Sequence, residues 1–534
     1  MKNIKYYLAA ILVILLASCE VNDLQPQTAL SETTAFETPE RIELAVAGVY
    51  DGGQSGFYLG GAVRGYPFGA AVHQQGDMRG EDMISTQLFY AITYENTYDP
   101  TSPNNGFLWQ TLYAMINRAN IVIEGIKKTR PSAVLTQEKL NEYEAECRFL
   151  RAIGHHFLLI HWSRPFSDNP TAPNGGVPYR TSSVGVVGGA SVDEAIAQGR
   201  NTVAECYDKI IEDLNFAETN LPATRATNRI TRATRAAAIA AKTRVRLHQG
   251  RWQDVITEGN KLAPQATAPF SSPIGSHSLT ASPMGPFGAG NKNNSESIFS
   301  IENNDVDNGG VNGALPTMYG SSASGARGII CISPILWNQS WWLASDLRKS
   351  ATMVQDDPVT APGRGGKFTR KYADAVTRTD NSPIFRYAEV LLNLAEALAR
   401  NSSGVDPKAV ALLNAVRNRA VTNTADQFTV SSFATSTDLV RAILQERRIE
   451  FIGEGLRWGD IHRLSKDPNF DVGGIPAKAN RGISNFAPLY TNNPATTFPM
   501  QPAIPYADFR FLWPIPSEEI VNNPTLAKQQ NPGW

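Results

Sequence analysis

Residues 443–464 read ILQERRIEFIGEGLRWGDIHRL and concentrate acids, bases and a histidine in one short stretch. Glu446 and Glu450 lie one turn apart on a predicted helix, where they can join ion-pair networks. Gly453 and Gly455 allow the chain to break before a second apolar segment begins. The stretch therefore predicts two helices joined by glycines, and its charges suit either an active site or a structural scaffold.

Helical periodicity continues outward from this stretch. Apolar residues recur at three- and four-residue steps over 109–126, 140–161 and 203–217, and the third of these helices opens with the capping box Thr202-x-x-Glu205. These spacings predict long amphipathic helices that pack against one another through their apolar faces.

A helical hairpin is predicted between residues 232 and 263. An alanine-rich helix ends at Gly250 and a second helix begins almost at once, which is the pattern of a degenerate tetratricopeptide repeat. Later, SPIFRYAEVLLNLAEALAR predicts a helix capped by Ser382, with Pro383 in its first turn. The expected fold class is mainly α, with tetratricopeptide-like hairpins supporting a loop-rich ligand-binding region.

The loop-rich region is expected between residues 264 and about 380. SSPIGSHSLTASPMGPFGAGNKNN is rich in turn-forming residues, SIFSIENND is compatible with a strand, and GIICISPILW is a buried strand or turn. Stacked helices would then form the scaffold, and these loops would carry the ligand contacts.

Charge and motifs exclude several functions. The chain has 534 residues, 49 basic and 50 acidic, and so lacks the basic footprint of a nucleic-acid-binding protein. HExxH, CxxC and GxSxG are absent, and a possible calcium loop from Asp305 has Pro316 where an EF-hand requires glutamate. We therefore nominate no catalytic residue, metal ligand or cofactor, although a looser calcium site and a glycosidase carboxylate pair stay open.

The N-terminus predicts export and lipidation. Lys2 and Lys5 precede an apolar run of signal-peptide length that ends in LASC at Cys19. The alternative is an ordinary signal peptide with a chance cysteine, but small residues before a cysteine are typical of a lipoprotein processing site. We expect a signal peptide over 1–18 and a lipidated tether over 19–35, firmly anchored because one residue carries several acyl chains.

The other three cysteines are an odd number, so disulfides cannot account for all of them. Two of them, Cys147 and Cys206, fall on apolar helical stripes, which predicts buried thiols. The third is Cys331 in the loop-rich middle.

Aromatic side chains beside amides are the best candidates for ligand contact, since sugar ring faces stack on aromatic rings while amides bind hydroxyls. The segment QLFYAITYENTYDPTSPNNGFLW supplies one group, and the loop-rich middle supplies another. Alternatively, four-residue spacing simply makes the tyrosines a packed helical face, and packing is favoured for the adjacent Trp341 and Trp342. The nominated ligand-binding residues are Phe89, Tyr90, Tyr94, Tyr98, Asn104, Asn105, Tyr319 and Trp337.

Four segments together resemble the SusD/RagB family of outer-membrane nutrient-binding lipoproteins. They are SPIFRYAEVLLNLAEAL, LLNAVRNRA, the opening stretch, and the closing WPIPSEEIVNNPTLAKQQNPGW, and the hairpin AAAIAAKTRVRLHQGRW agrees with them. The match divides the chain into an N-terminal SusD-like region over 36–263 and a C-terminal RagB/SusD region over 264–534. Residues 60–110 and 264–340 match only loosely, and ligand specificity is expected there.

The resemblance implies a protein without enzymatic activity at the surface of the outer membrane. Members of the family form a hinged lid over a TonB-dependent, SusC-like transporter, to which they deliver captured glycans or peptides. The charges of the opening stretch are then expected to be architectural. Two other classes stay open from sequence: an exported glycoside hydrolase on a helical scaffold, and a purely structural tetratricopeptide protein.

Overall fold

The computed structural model is mainly helical, with little strand, and describes residues 34–58, 61–62, 65–185, 188–227, 229–288, 290 and 292–534. The predicted signal peptide over 1–18 and the predicted lipidation site Cys19 lie outside these residues. The helices are α1 (Pro39–Gln54), α2 (Ala71–Arg79), α3 (Ala91–Tyr94), α4 (Pro103–Lys128), α5 (Gln137–Trp162), α6 (Val192–Ala197), α7 (Val203–Asn220), α8 (Arg235–His248), α9 (Trp252–Leu262), α10 (Leu315–Tyr319), α11 (Pro334–Trp337), α12 (Tyr387–Asn401), α13 (Pro407–Arg417), α14 (Ser436–Glu450), α15 (Leu456–Leu464), α16 (Ser517–Asn522) and α17 (Pro524–Ala527).

The strands are short and form small antiparallel sheets. They are β1 (Phe57–Tyr58), β2 (Gly61–Ala62), β3 (Met83–Ser85), β4 (Ser297–Ile301), β5 (Ile330–Ile332), β6 (Val354–Asp356), β7 (Lys367–Thr369), β8 (Ser382–Arg386), β9 (Gly474–Ile475), β10 (Lys478–Ala479), β11 (Met500–Gln501) and β12 (Ile504–Pro505). The largest sheet has the order β3-β5-β7-β6, and β4 pairs with β8.

The helices pack in a continuous series. Helix α5 contacts α4 and α7, α8 contacts α7 and α9, and α12 contacts α9, α13 and α14. The capping box at Thr202 is present, with Glu205 returning a hydrogen bond to the backbone of Thr202. The predicted mainly α fold and the hairpin around Gly250 are confirmed, because apolar periodicity and capping residues agree at these positions.

The interior of the described residues contains two large hydrophobic cores and a small cluster of Leu247, Val255 and Ala397. The larger core lies among the stacked helices and the smaller core lies beneath the loop-rich region, around the β3-β5-β7-β6 sheet. Strands β4 and β5 fall where the sequence predicted strands. Both are completely buried.

The predicted helix start at Ser382 is wrong. Residues Ser382–Arg386 form β8, which pairs antiparallel with β4, and the helix begins only at Tyr387. All five strand residues are buried. Pairing with β4 satisfies the backbone in the core, so tertiary context overrides the local helix-start signal.

The opening stretch forms two helices, as predicted. Helix α14 ends at Glu450, α15 begins at Leu456, and Gly453 and Gly455 between them have φ values of +74° and +71°. Arg447 in α14 pairs with a carboxylate of α15 at 2.9 Å. The charges therefore join helices to each other and to the core, as a scaffold requires.

The close contact between α2 and the turn before α15 requires glycine at position 76. A β-carbon at Gly76 would lie 2.1 Å from the carbonyl oxygen of Gly455. We expect Gly76→Ala to reduce the free energy of unfolding by at least ~2 kcal/mol. The backbone carbonyl of Gly455 cannot move away from the new β-carbon as the end of a flexible side chain could. Urea denaturation measures the change.

The matched control is Gly48→Ala in α1, where a β-carbon would meet nothing within 4 Å. Alanine has the higher helix propensity, so this variant is expected to gain up to ~1 kcal/mol. Equal effects from the two substitutions would contradict a close contact at Gly76.

Candidate ligand-binding surface

The nominated tyrosines are held in the interior. Tyr94 is 0% exposed and donates its hydroxyl to the carbonyl of Ala479 at 2.7 Å. Tyr319 is also 0% exposed and donates to a carboxylate oxygen of Asp77 at 2.6 Å. Their rings offer no open face to a ligand in this structure.

Four more nominated residues are buried in the same way. Tyr90 and Tyr98 donate their hydroxyls to Gln74 and to the carbonyl of Arg510, respectively. Trp337 packs against Trp342, with ring centroids 5.3 Å apart, and Asn105 is 1% exposed. The packing interpretation therefore accounts for all six buried residues, although the tyrosines do not share a single helix.

Phe89 and Asn104 are the two nominated residues that are half-buried. Asn104 donates its amide to the hydroxyl of Thr93 at 3.2 Å. Phe89 packs edge-on against Tyr90, with centroids 5.0 Å apart, and the guanidinium carbon of Arg327 lies 4.9 Å from its ring centroid. Ligand contact by these two residues stays a prediction, and Phe89 has the ring that a ligand can reach.

Three loops, over 321–328, 357–366 and 480–490, converge beside the segment that carries Phe89. The side chain of Gln87 donates to the carbonyl of Pro362, and Arg481 pairs with Glu95 at 2.6 Å. Arg364 donates to the carbonyl of Ile483 at 3.1 Å. We call Phe89, Arg327, Arg364 and Arg481 the Phe89 surface.

The first two loops meet backbone to backbone. A β-carbon at Gly328 would lie 3.1 Å from the amide nitrogen of Gly363. Arg364 directly follows Gly363 and has a φ of +51°, a backbone conformation that residues with a side chain rarely adopt. Strained backbone of this kind is concentrated at functional sites.

Positive charge dominates the Phe89 surface. Neither Arg327 nor Arg364 has a carboxylate within 4.0 Å in the part of the chain that the structure describes. Burial, and then the charge of Arg481, lowers the pKa of Arg364. A ring beneath one guanidinium, with two further arginines on neighbouring loops, can stack on an apolar ligand face while the N–H groups bind hydroxyl or anionic oxygens.

Sequence reasoning missed the three arginines, although a signal was present. In each of the three loops an arginine is followed directly by glycine, at 327–328, 364–365 and 481–482. Glycine lets neighbouring backbones approach, so an adjacent long side chain can extend from a loop that is itself tightly packed. The recurrence of the pair could have directed attention to these positions.

The described ranges show neither a side-chain group that could hold a metal ion nor a helix that could cross a membrane. They contain no group of three or more histidine, cysteine, aspartate or glutamate side chains placed to hold a metal ion. Their helices are all too short or too polar to cross a bilayer. Cys147, Cys206 and Cys331 are free and buried, as was predicted for the first two.

Family models match both ends of the chain. Residues 29–247 match a SusD-like model described as starch-binding and associating with the outer membrane. Residues 363–534 match the model of the SusD family. The first matched region ends within the hairpin, and the second includes the closing segment quoted above.

Whole-chain relatives agree with these matches. SusD-like protein P2 of Formosa agariphila is 25% identical, covering 99% of this chain and 100% of the relative, and SusD-like protein P38 of the same organism is 23% identical, covering 87% and 92%.

Solved structures show the same fold. A SusD superfamily protein from Bacteroides fragilis superimposes with a TM-score of 0.72 at 26% identity, covering 92% of this chain and 99% of that one. Surface glycan-binding protein A from Bacteroides uniformis has a TM-score of 0.66 at 19% identity, covering 92% and 99%. By its terminal sequence matches, its full-length relatives and its helical architecture, the chain belongs to the SusD family.

Proposed function

We propose that this protein is a cell-surface lipoprotein that binds glycans and delivers them to a TonB-dependent, SusC-like outer-membrane transporter. The observation that carries the proposal is the half-buried ring of Phe89 beneath Arg327, set among loops that lie over the smaller hydrophobic core. A family model described as associating with the outer membrane, and a structural neighbour named as a surface glycan-binding protein, support it.

Capture at the Phe89 surface combines two interactions. The apolar face of a sugar ring stacks on Phe89, and the guanidinium groups donate to its hydroxyl oxygens. The three loops pack against one another through backbone contacts, so the arginines are positioned before a ligand arrives. Such preorganisation reduces the entropy lost on binding.

Capture is proposed to occur without turnover. The dense charges of the opening stretch, which could have marked a hydrolase, are engaged in ion pairs between buried groups. Incubation of purified protein with a bound polysaccharide, followed by chromatography, is expected to return intact polymer. Shorter products would support the exported hydrolase instead.

The lid role places Cys19 at the membrane as the lipidated residue and the helical body above the transporter. Co-purification of a TonB-dependent transporter with the protein from solubilised outer membranes tests this part. The peptide alternative keeps the same role with a different ligand.

Affinity electrophoresis through gels that contain a panel of polysaccharides tests the proposed ligand class. We expect one glycan to retard the protein and Phe89→Ala to weaken that retardation about fivefold, since ring stacking contributes roughly 1 kcal/mol. The apparent dissociation constant follows from mobility against glycan concentration.

The matched control is Leu88→Ala. Leu88 lies in the same turn and is 76% exposed, but it has no ring, so its loss should leave retardation unchanged. Equal loss in both variants would show a disturbed turn instead of a stacking contact. Absence of retardation by every polysaccharide would favour the peptide alternative.

A further inference from the structure

A groove lies between α4, the segment 178–184, α6 and α16, and it shares no residue with the Phe89 surface. It consists of two adjoining hollows of about 180 and 330 Å³, and Arg180, Ala195 and Glu519 line both of them. The larger hollow is within the size range of small-molecule sites. We call it the α4–α16 groove.

Aromatic side chains of α4 form the floor of the smaller hollow. The rings of Trp109 and Tyr113 have centroids 4.8 Å apart. Tyr113 is half-buried and donates its hydroxyl to the carbonyl of Pro178 at 2.9 Å. The indole N–H of Trp109 donates to Glu519 at 3.2 Å. Both rings are therefore fixed in orientation, and Tyr113 presents an apolar surface to an occupant.

A cation in the groove has no anionic partner. Arg180 donates to the carbonyl of Ala195 and, at 2.9 Å, to the amide oxygen of Gln198. No carboxylate lies within 4.0 Å of it in the described chain, although Glu518 and Glu519 line the same hollow. The remaining N–H groups of its guanidinium are suited to a carboxylate, which they can bind in a bidentate manner.

Acceptors on α4 and α16 complete the lining. Glu519 accepts hydrogen bonds from Trp109 and from Asn523, the latter at 3.0 Å. Glu518 is exposed, and within the described residues its carboxylate is bonded to the hydroxyl of Ser517 at 3.3 Å. Gln110 also lines the larger hollow, and its buried Oε1 has no hydrogen-bond partner in that part of the chain.

We propose that the α4–α16 groove binds short peptides with free ends. Their terminal carboxylate pairs with Arg180, their terminal ammonium lies against Glu518 and Glu519, and an apolar side chain packs on Tyr113. A neutral sugar would desolvate these separated charges without supplying any in return, which is unfavourable. The site adds a second ligand class to the proposed glycan capture and does not depend on it.

Calorimetric titration of the purified protein with leucyl-leucine tests the site. Three further probes are its N-acetylated form, its C-terminal amide and the neutral disaccharide cellobiose. We expect the free dipeptide to bind most tightly, each blocked form to bind about tenfold more weakly through loss of one charge-assisted contact, and cellobiose not to bind in the groove.

Two variants assign each end of the peptide to a side chain. Arg180→Gln is expected to weaken binding of the free and N-acetylated dipeptides about tenfold, with no further effect on the amide. Glu518→Gln is expected to weaken binding of the free and amidated forms, with less effect on the N-acetylated one. Because Glu518 is exposed and touches little, its variant is expected to fold even if Arg180→Gln loosens α6.

Arg130→Gln, which removes an exposed arginine just beyond the end of α4, is the control for net charge and should leave all titrations unchanged. Phe89→Ala should also bind the dipeptide normally, which separates this site from the Phe89 surface. Absence of dipeptide binding, equal affinity for free and blocked forms, or binding of cellobiose that Glu518→Gln abolishes would each overturn the proposal.

Discussion

Lowering the pH from about 7 to 5 is expected to reduce the free energy of unfolding by on the order of 5 kcal/mol. The chain has seven histidines, and burial lowers the pKa of every one of them. It falls to about 4 for His73, His277 and His462, to about 3 for His155 and His156, and well below its usual range for His161 and His248.

The sign follows from proton binding. An unfolded histidine binds a proton near pH 6.5, whereas the folded ones stay neutral down to about pH 4. Between these values the unfolded chain binds more protons than the folded one. Lowering the pH therefore reduces the free energy of unfolding by up to ~1.4 kcal/mol per histidine for each pH unit.

Three buried carboxyls act in the opposite direction. Burial raises the pKa of Asp77 to about 8, and burial also raises the pKa of Asp82 and Asp380. These groups retain protons that the unfolded chain releases, and so they stabilise the fold as pH decreases towards 4. Seven histidines outnumber three carboxyls, so the net change is destabilising.

Urea denaturation followed by tryptophan fluorescence at pH 7.5, 6.0 and 5.0 measures this dependence. His156, whose Nε2 has no partner in the described structure and whose ring lies 4.8 Å from that of His248, provides the test variant. His156→Phe should reduce the pH slope by about one proton. Constant stability from pH 7.5 to 5.0 would contradict neutral buried histidines.

Sequence periodicity predicted the scaffold well because each helix carries its own evidence. The capping box of Thr202 and Glu205 marks the start of α7 without help from distant residues. The apolar stripes of α4 and α5 repeat over many residues. The error at Ser382–Arg386 arose because its partner strand, β4, lies far away in sequence. Local signals cannot report such pairing.

The candidate site was harder to predict because burial depends on distant contacts. Tyr94 looks the same in sequence whether its hydroxyl faces solvent or, as here, donates to Ala479. The same holds for Tyr98 and the carbonyl of Arg510. Aromatic content therefore nominated the half-buried Phe89 together with buried residues and could not separate them, while the arginines became evident only when three separate loops were brought together.

Replacement of Arg386 by alanine is expected to reduce the free energy of unfolding by about 3–5 kcal/mol, since it leaves buried carboxylates without a cation. Arg386 is 2% exposed and pairs with Glu454 at 2.7 Å, with Glu450 at 3.1 Å and with Glu296. Burial alone would raise the pKa of Glu450, but the surrounding cations lower it to about 2. The charge of this carboxylate therefore persists in the core at neutral pH.

Urea denaturation of Arg386→Ala measures the loss, and Arg441→Ala on α14 is the control. Arg441 pairs with Asp438 at the surface, where both side chains are at least 40% exposed, so its loss should cost less than ~1 kcal/mol. Arg447→Ala, which breaks the buried pair with Asp460, should also destabilise the fold.

Neither Arg386→Ala nor Arg447→Ala should weaken the retardation of folded protein in glycan-containing gels. The ion pairs of α14 and α15 hold the scaffold together and do not touch the Phe89 surface. Unchanged stability with lost retardation would contradict this assignment and would make the charged stretch part of the binding site. Destabilisation of Arg386→Ala no larger than that of Arg441→Ala would show that the remaining cations compensate for Arg386.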